Sequence, residues 1–213
     1  MNSLYNLTWI FLLIAMAGDL IVSFMLSFFY KGYSNLKMSI SALGNPKSPV
    51  RLPFNIWMLI EGLLFMTALP AIYNYFNSIS TKLTITLLLF ISVFAIGACI
   101  FTCFFSVNES KDITTLVSKI HGAGSALGFC LFLFVPLIIS ILYLKSDENL
   151  FGIISIICFV LSLVFFVLFI MSDKENFATT FIANEGLWQR LNLIFMYLPL
   201  CFVCVQRIIN YTH

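Results

Sequence analysis

The chain has 213 residues, of which 61% are hydrophobic and only 9% are charged, with a formal net charge of +2. Soluble domains carry about 25% charged residues, so this composition excludes a soluble globular domain. A net charge of +2 also provides no basic surface able to neutralise phosphates, which argues against nucleic acid as a partner. We therefore expect an all-α integral membrane protein.

Six stretches of the chain are apolar over about 20 residues, the length that a helix needs to cross a hydrocarbon core of about 30 Å. In chain order they are residues 8–29, 56–76, 83–105, 120–144, 150–171 and 186–209. They are continuously apolar, whereas the strands of a membrane barrel are shorter and alternate. The first stretch is not a cleaved signal peptide, because it is too long, has Asp19 in its middle and follows no basic segment. The sequence predicts a single six-helix membrane domain over residues 1–213.

Helix 1 has one small and polar stripe, because Ala15, Asp19, Ser23 and Ser27 recur every four residues. The connection that follows, residues 30–55, is the most distinctive segment of the chain. Its prolines at positions 46, 49 and 53 prevent a regular helix, and its apolar side chains suit packing better than water. We predict an ordered connection folded over the mouth of the bundle as a lid. A solvated loop held by prolines is the alternative.

Charged side chains are costly inside a bilayer, so each one there requires a partner or a cavity. Helices 2, 4 and 6 begin on the same side of the membrane, and Glu61, His121 and Arg190 lie near those beginnings. We predict that these three side chains approach one another and that Asp19 lines the same cavity. A structural ion pair between Arg190 and Glu61 or Asp19 is the alternative explanation.

Helix 4 presents His121, Gly124, Ser125 and Gly128 on one face, because they fall at positions i, i+3, i+4 and i+7. The two glycines predict a close contact with a neighbouring helix. Basic residues are more numerous on the face that carries the connections after helices 1, 3 and 5, where Lys111 is one of eight. The positive-inside rule therefore predicts that these connections are cytoplasmic.

No cofactor and no metal site is predicted from the sequence. The six cysteines all lie in the apolar segments, without the turns that thiolate metal sites use, and are interpreted as small packing residues. A bis-histidine haem site is excluded because the second histidine is His213, outside the apolar segments. One intramembrane histidine also cannot supply the three-histidine site of zinc-dependent membrane hydrolases.

Several short motifs in order resemble a bacterial family catalogued as domain of unknown function 998. They are the segment Ser-Ala-Leu-Gly-Asn-Pro-x-Ser-Pro at residues 41–49, then Phe54-Asn55 opening a helix, the helix-initial His121 and Gly186-Leu-Trp-Gln-Arg190. The resemblance implies a six-helix protein of the bacterial cytoplasmic membrane with no assigned activity. Residues 40–55 also resemble, more distantly, the loop after the first helix of the eukaryotic FRAG1/DRAM/Sfk-like proteins, which are linked to lipid processes. That loop has an aspartate where this chain has Ala42 or Leu43, and such an analogy of fold does not establish function.

Two functions are compatible with these residues. The first is a protein whose polar pocket, open on one side of the membrane, binds a lipid headgroup or small amphiphile, with Lys47, Arg51 and Arg190 meeting a phosphate. The candidate ligand-binding residues are Ser39, Ser41, Asn45, Lys47, Arg51, Asn55, Ser125, Trp188, Arg190 and Asn192. The second is a metal-independent lipid-modifying enzyme with His121 as general base, oriented by Glu61 or Asp19. Membrane lipid is the predicted partner, and a homo-oligomer or a membrane partner protein is possible. Transport would require the symmetry of internal repeats, which a single six-helix unit lacks unless it dimerises.

Overall fold

The computed structural model describes residues 2–108 and 115–209, with side chains from Leu7 onward. Lys111 and His213 lie outside the described residues. Six helices are long and apolar enough to cross a membrane, as predicted. They are α1 (Asn2–Ser27), α2 (Arg51–Phe76), α3 (Thr81–Phe104), α4 (Leu116–Lys145), α5 (Asn149–Ser172) and α6 (Glu185–Ile209). The described residues contain no strand, so the fold class is confirmed as an all-α membrane bundle.

The helices pack in the order of the chain around a ring, with α6 returning to α1. Because consecutive helices cross the membrane in opposite directions, α2, α4 and α6 all begin on the same side of it. That side carries the connections 28–50 and 173–184 together with residues 105–108, and it is called the cavity side below.

Helix α5 has the inside-out pattern expected of a helix that faces lipid. Its buried residues are small, namely Gly152, Ser155, Cys158 and Ser162, while large aliphatic side chains such as Val160 are exposed. Small residues let helix backbones approach closely in a membrane, where van der Waals packing drives association. The Ser140 hydroxyl of α4 also donates a hydrogen bond to the Gly152 carbonyl at 2.8 Å. This pattern fixes the second half of α4 against α5.

Helix α4 is bent. Its first segment, Leu116–Phe132, and its second segment, Val135–Lys145, meet at a break one turn before Pro136. Proline has no N–H for the helical hydrogen bond and its ring crowds the preceding turn, so a bend is expected here. The first segment packs on α3, whereas the second packs on α5 and α6. The first segment of α4 therefore lies apart from α5 on the cavity side.

Helix α3 widens into a π-helical segment at Ala95–Ile100. Gly97 in this segment faces Gly124 of α4, and a Cβ on either glycine would crowd the other residue's backbone. Gly128 lies against Phe94 and Ala98 in the same interface. The predicted close contact through the glycines of α4 is confirmed, and α3 is the neighbour that it contacts.

The connection between α1 and α2 is folded against the bundle. Ile40–Gly44 form a short 3-10 helix in which Ile40, Leu43 and Gly44 are buried. Helix α2 begins at Arg51, five residues earlier than predicted. Pro53 is compatible with this start because the first turn of a helix needs no donor from its N–H groups.

Candidate functional site

A cavity of about 480 Å³ opens on the cavity side of the bundle. Every helix contributes to its lining. The polar lining residues are Asp19, Ser39, Ser41, Glu61, Cys99, Thr102, His121, Ser125, Cys130, Asp173, Glu185 and Gln189. The apolar lining consists of Ile40, Phe54, Met58, Phe94, Ala98, Gly122, Ala126, Phe129, Phe166, Phe169, Ile170 and Leu193. The cavity wall thus combines apolar side chains with an equal number of polar residues.

Aromatic rings close the cavity toward the membrane interior. Phe94, which lines the cavity, lies 4.4 Å from the Phe132 ring and 5.6 Å from the Phe65 ring, measured between ring centroids. Tyr197 packs on the same rings and is itself buried. Edge-on and tilted ring pairs at such distances are favourable and fill space well. The polar groups of the cavity consequently lie on the cavity side of this packed cluster of aromatic rings.

The two intramembrane carboxylates, Asp19 and Glu61, both line this cavity. Asp19 Oδ2 accepts a hydrogen bond from the Tyr197 hydroxyl at 2.7 Å. Glu61 is fully buried, and Cys99 Sγ is 3.6 Å from its Oε1, a weak contact because a thiol is a poor donor. The other oxygen, Oε2, has no hydrogen-bond partner among the described residues. Glu61 therefore lines the site with one carboxylate oxygen that makes no hydrogen bond to the described residues.

Gly62 explains how Glu61 reaches this position. A Cβ at residue 62 would collide with Ile100 and with the Ala95 carbonyl, so only glycine lets α2 lie so close to α3. The contact is with the π-helical segment, a distortion that often marks functional sites.

His121 lies in the cavity wall with its ring fixed by backbone. Its Nδ1 is 3.0 Å from the Phe105 carbonyl oxygen and 3.4 Å from Thr102 Oγ1. Because a carbonyl oxygen only accepts, Nδ1 carries a proton, and Nε2 of the neutral ring is an acceptor. Ser125 Oγ is 3.5 Å from that Nε2. His121 thus presents its Nε2 to the cavity beside a hydroxyl.

Arg190 does not join this group, and its predicted approach to Glu61 and His121 is wrong. Its Nη1 donates to the carbonyls of Asn35 at 2.8 Å, Gly186 at 2.9 Å and Met38 at 3.3 Å. Its Nη2 donates to Tyr33 Oη at 2.8 Å and to Asn35 Oδ1 at 2.9 Å. The guanidinium therefore clamps the connection between α1 and α2 to the start of α6.

The missing Cβ of Gly186 makes room for this clamp, because a Cβ there would meet the carbonyls of Asn35 and Met38. Tyr33 also donates its hydroxyl hydrogen to the Ser39 carbonyl at 2.9 Å. Burial raises the pKa of the Tyr33 phenol, and the Arg190 guanidinium opposes that rise in part. The phenol consequently stays protonated near neutral pH and keeps both of its hydrogen bonds.

Of the ten predicted ligand-binding residues, the cavity brings together Ser39, Ser41 and Ser125. The other seven, Asn45, Lys47, Arg51, Asn55, Trp188, Arg190 and Asn192, are not among the lining residues. Several of them hold the fold instead. Asn45 Nδ2 donates to the Tyr30 hydroxyl and to the Ala42 carbonyl, Arg51 donates to Ser106 and Trp188 donates to the Ile182 carbonyl.

Three predicted residues retain buried polar atoms without a hydrogen-bond partner among the described residues, and one of these atoms is Arg190 Nε. Asn192 is fully buried, and neither its Oδ1 nor its Nδ2 has a partner in the part of the chain that the structure describes. Asn55 Oδ1 is likewise buried and unpaired within that part. Lys47 is exposed on the connection. A phosphate site built from Lys47, Arg51 and Arg190 is therefore not assembled at the cavity.

The sequence prediction missed several lining residues, chiefly Gln189, Glu185, Thr102 and Cys99. Gln189 Oε1 accepts a hydrogen bond from the Ile40 backbone at 2.7 Å and so joins α6 to the connection. A signal was present in the spacing, because Glu185, Gln189 and Leu193 recur every four residues on α6. No comparable spacing in the sequence indicated that residues of the π-helical segment would line the cavity.

A family described as "Protein of unknown function (DUF998)" matches residues 13–206 of the chain. No curated protein and no solved structure matches the chain. The family match covers all six helices, so it extends over the cavity and every residue that lines it. The more distant resemblance to FRAG1/DRAM/Sfk-like proteins stays a prediction.

Proposed function

The chain belongs to the DUF998 family of proteins of unknown function, and we propose that it binds an amphiphile in the cavity that the six helices enclose. The observation that carries the proposal is the lining itself, which combines apolar and aromatic side chains with polar groups in one chamber. A volume of about 480 Å³ lies within the range of small-molecule sites. Such a chamber suits a ligand with one polar end and one apolar end.

The bend in α4 provides a route from the lipid to the cavity. On the cavity side the first segment of α4 packs on α3 and leaves a lateral gap beside α5. Gly122, Ala126 and Cys130 on α4 and Ile170 on α5 are exposed along this gap and also line the cavity. The α4 residues extend over about 12 Å at 1.5 Å per residue, so an acyl chain could enter sideways from the bilayer.

Binding is better supported than catalysis. A general base must reach the proton that it removes at about 2.6–3.2 Å, and Ser125 Oγ lies 3.5 Å from His121 Nε2. The other ring nitrogen bonds to a backbone carbonyl rather than to Glu61 or Asp19. A carboxylate that orients the base, as the enzyme hypothesis requires, is therefore not in contact with the ring.

Photo-crosslinking with a C16 alcohol that carries a diazirine tests the proposal. The full chain is reconstituted in phosphatidylcholine nanodiscs and the adducts are mapped by mass spectrometry. We expect adducts on residues 121–130 and 166–173, which face each other across the gap. Ala126→Trp should fill the entrance and reduce cavity labelling by about tenfold, while labelling elsewhere on the lipid surface persists.

Ala123→Trp is the matched control, because Ala123 is exposed on the same segment of α4 but does not line the cavity. It should label as the wild type does. Absence of adducts on both segments, or equal losses in the two tryptophan variants, would overturn the proposed function.

A further inference from the structure

The charged groups of the cavity are nearly all acidic. Four carboxylates line it, those of Asp19, Glu61, Asp173 and Glu185, together with His121. No lysine or arginine occurs among the described lining residues. The described lining therefore lacks the basic side chains that would hold a phosphate headgroup.

Glu61 is the most completely buried of the four carboxylates that line the cavity. It is 0% exposed, it lines the cavity, and its Oε2 has no hydrogen-bond partner among the described residues. Buried carboxylates normally pair with a cation or accept several hydrogen bonds. Arg190 is the cation that the sequence predicts near Glu61, but its terminal nitrogens donate hydrogen bonds to the connection between α1 and α2. Glu61 Oε2 is therefore available as an acceptor for a ligand in the cavity.

The walls around the carboxylates favour a cation as well. Phe54, Phe94, Phe129, Phe166 and Phe169 line the same space. The faces of aromatic rings attract ammonium groups and disfavour anions. An acceptor such as Oε2 further requires a donor hydrogen, which a protonated amine supplies and a quaternary ammonium lacks.

We infer that the cavity takes the protonated amine head of an amphiphile, with Glu61 as its hydrogen-bond acceptor and Asp19 as the second counter-charge. This inference rests on the proposed function and names the chemistry of its ligand. Asp19 is already held by the Tyr197 hydroxyl at 2.7 Å, so its position is preorganised. The apolar tail lies between the phenylalanine rings and leaves through the gap beside α5.

The test compares diazirine probes that share one C16 chain and differ in the head group, which is a primary amine, an alcohol, a carboxylate or a monophosphate. At equal concentration in phosphatidylcholine nanodiscs, we expect the amine to label the cavity about tenfold more than the alcohol, because hydrogen bonds to charged groups are worth at least that factor. The carboxylate and the monophosphate should label less than the alcohol. Equal labelling by amine and alcohol would overturn the inference and leave the proposed function intact. An absence of labelling by every probe would overturn both.

Glu61→Gln should reduce amine labelling to the level of the alcohol and leave alcohol labelling unchanged. Glu148→Gln is the matched control, because Glu148 is exposed on the other side of the membrane and does not line the cavity, and it should behave as the wild type. Asp19→Asn provides a second variant if Glu61→Gln does not elute as a folded species. Survival of the amine preference in the folded variants would overturn the inference.

Competition separates two sources of the ammonium group. Phosphatidylethanolamine added to the nanodiscs should leave amine labelling unchanged if the ligand is a single-chain amine, because the carboxylates that line the cavity would repel its phosphate. Strong competition would instead assign the ammonium to an aminophospholipid headgroup. Both results retain the amine as the group that Glu61 binds.

Discussion

Arg190 and Glu61 lie on the same side of the membrane, yet the chain surrounds them in opposite ways. The terminal nitrogens of Arg190 donate to three carbonyls, one amide oxygen and one phenol. Glu61 has one weak thiol contact and one unpaired oxygen. Charged groups inside a membrane persist either because the fold satisfies them or because a function needs them. Arg190 belongs to the first case, and Glu61 is assigned here to the second.

Arg190→Leu is expected to lower the apparent unfolding temperature of the purified protein clearly. The substitution removes the guanidinium donors from the part-buried carbonyls of Asn35 and Met38, and an unsatisfied buried group costs about 1–3 kcal/mol. Arg190→Lys should recover only part of the loss, because one ammonium cannot span the acceptors that the planar guanidinium joins. Fluorescence-detected thermal unfolding measures the difference.

Lys145→Leu is the control, since Lys145 is exposed at the end of α4 on the opposite side. Exposed substitutions usually change stability by about 0.5 kcal/mol or less. If Arg190→Leu were no more destabilising than Lys145→Leu, the hydrogen bonds of the clamp would contribute nothing and the role assigned to Arg190 would be wrong.

At the level of the helices, two irregularities create the cavity. The bend before Pro136 moves the first segment of α4 away from α5, and the π-helical segment of α3 brings Ala98 and Cys99 into the lining. The Gly97–Gly124 contact then holds α4 against α3 on the side away from the gap. The gap beside α5 therefore depends on tight packing elsewhere.

Gly124→Ala should destabilise the protein, whereas Gly122→Ala should not. A Cβ at Gly124 would lie 2.9 Å from the Gly97 carbonyl oxygen and 3.0 Å from Phe101, while a Cβ at Gly122 meets nothing within 4 Å. Overpacking of this kind costs about 1–3 kcal/mol. At Gly122 the better helix propensity of alanine contributes up to about 1 kcal/mol in the other direction.

Thermal unfolding of the two variants, both in the first segment of α4, provides the comparison. Equal stability of Gly124→Ala and Gly122→Ala would show that α3 and α4 separate at no cost. The gap beside α5 would then not be a fixed feature of the fold.

For the molecule as a whole, the connections on the cavity side lie on one face of the membrane and the 145–148 turn lies on the other. The excess of basic residues on the cavity side predicts that this face is cytoplasmic. Arg51 and Arg190 contribute to that excess while making contacts inside the protein, so the orientation stays a prediction that requires its own measurement.

Single cysteines introduced at exposed positions test the orientation with a membrane-impermeant maleimide on intact cells. Glu148→Cys should be labelled, while Lys47→Cys and Lys174→Cys should react only after the membrane is permeabilised. The reverse pattern would invert the orientation. Labelling of all three from the same side would contradict the count of six spans.

The fold and part of the site were predictable because the bilayer imposes simple rules on a sequence. An apolar run of about 20 residues must be helical to satisfy its backbone, and this alone predicts six helices in their order. Charged residues in such runs are rare enough to be noticed singly. Asp19, Glu61 and His121 were identified in this way, and they line one cavity in the structure.

The partners of these residues were decided by tertiary structure alone. Spacing along a helix gives the face on which Arg190 lies, but the direction of its guanidinium depends on carbonyls of residues 35 and 38, more than 150 positions away. The π-helical segment and the bend of α4 likewise depend on packing between helices. The spacing of residues in a continuously apolar sequence does not predict that packing. The sequence by itself therefore determined the six helices and the few costly side chains, because both follow from solvation in lipid. Only the tertiary structure decided which of those side chains the fold satisfies and which it leaves facing an acidic cavity.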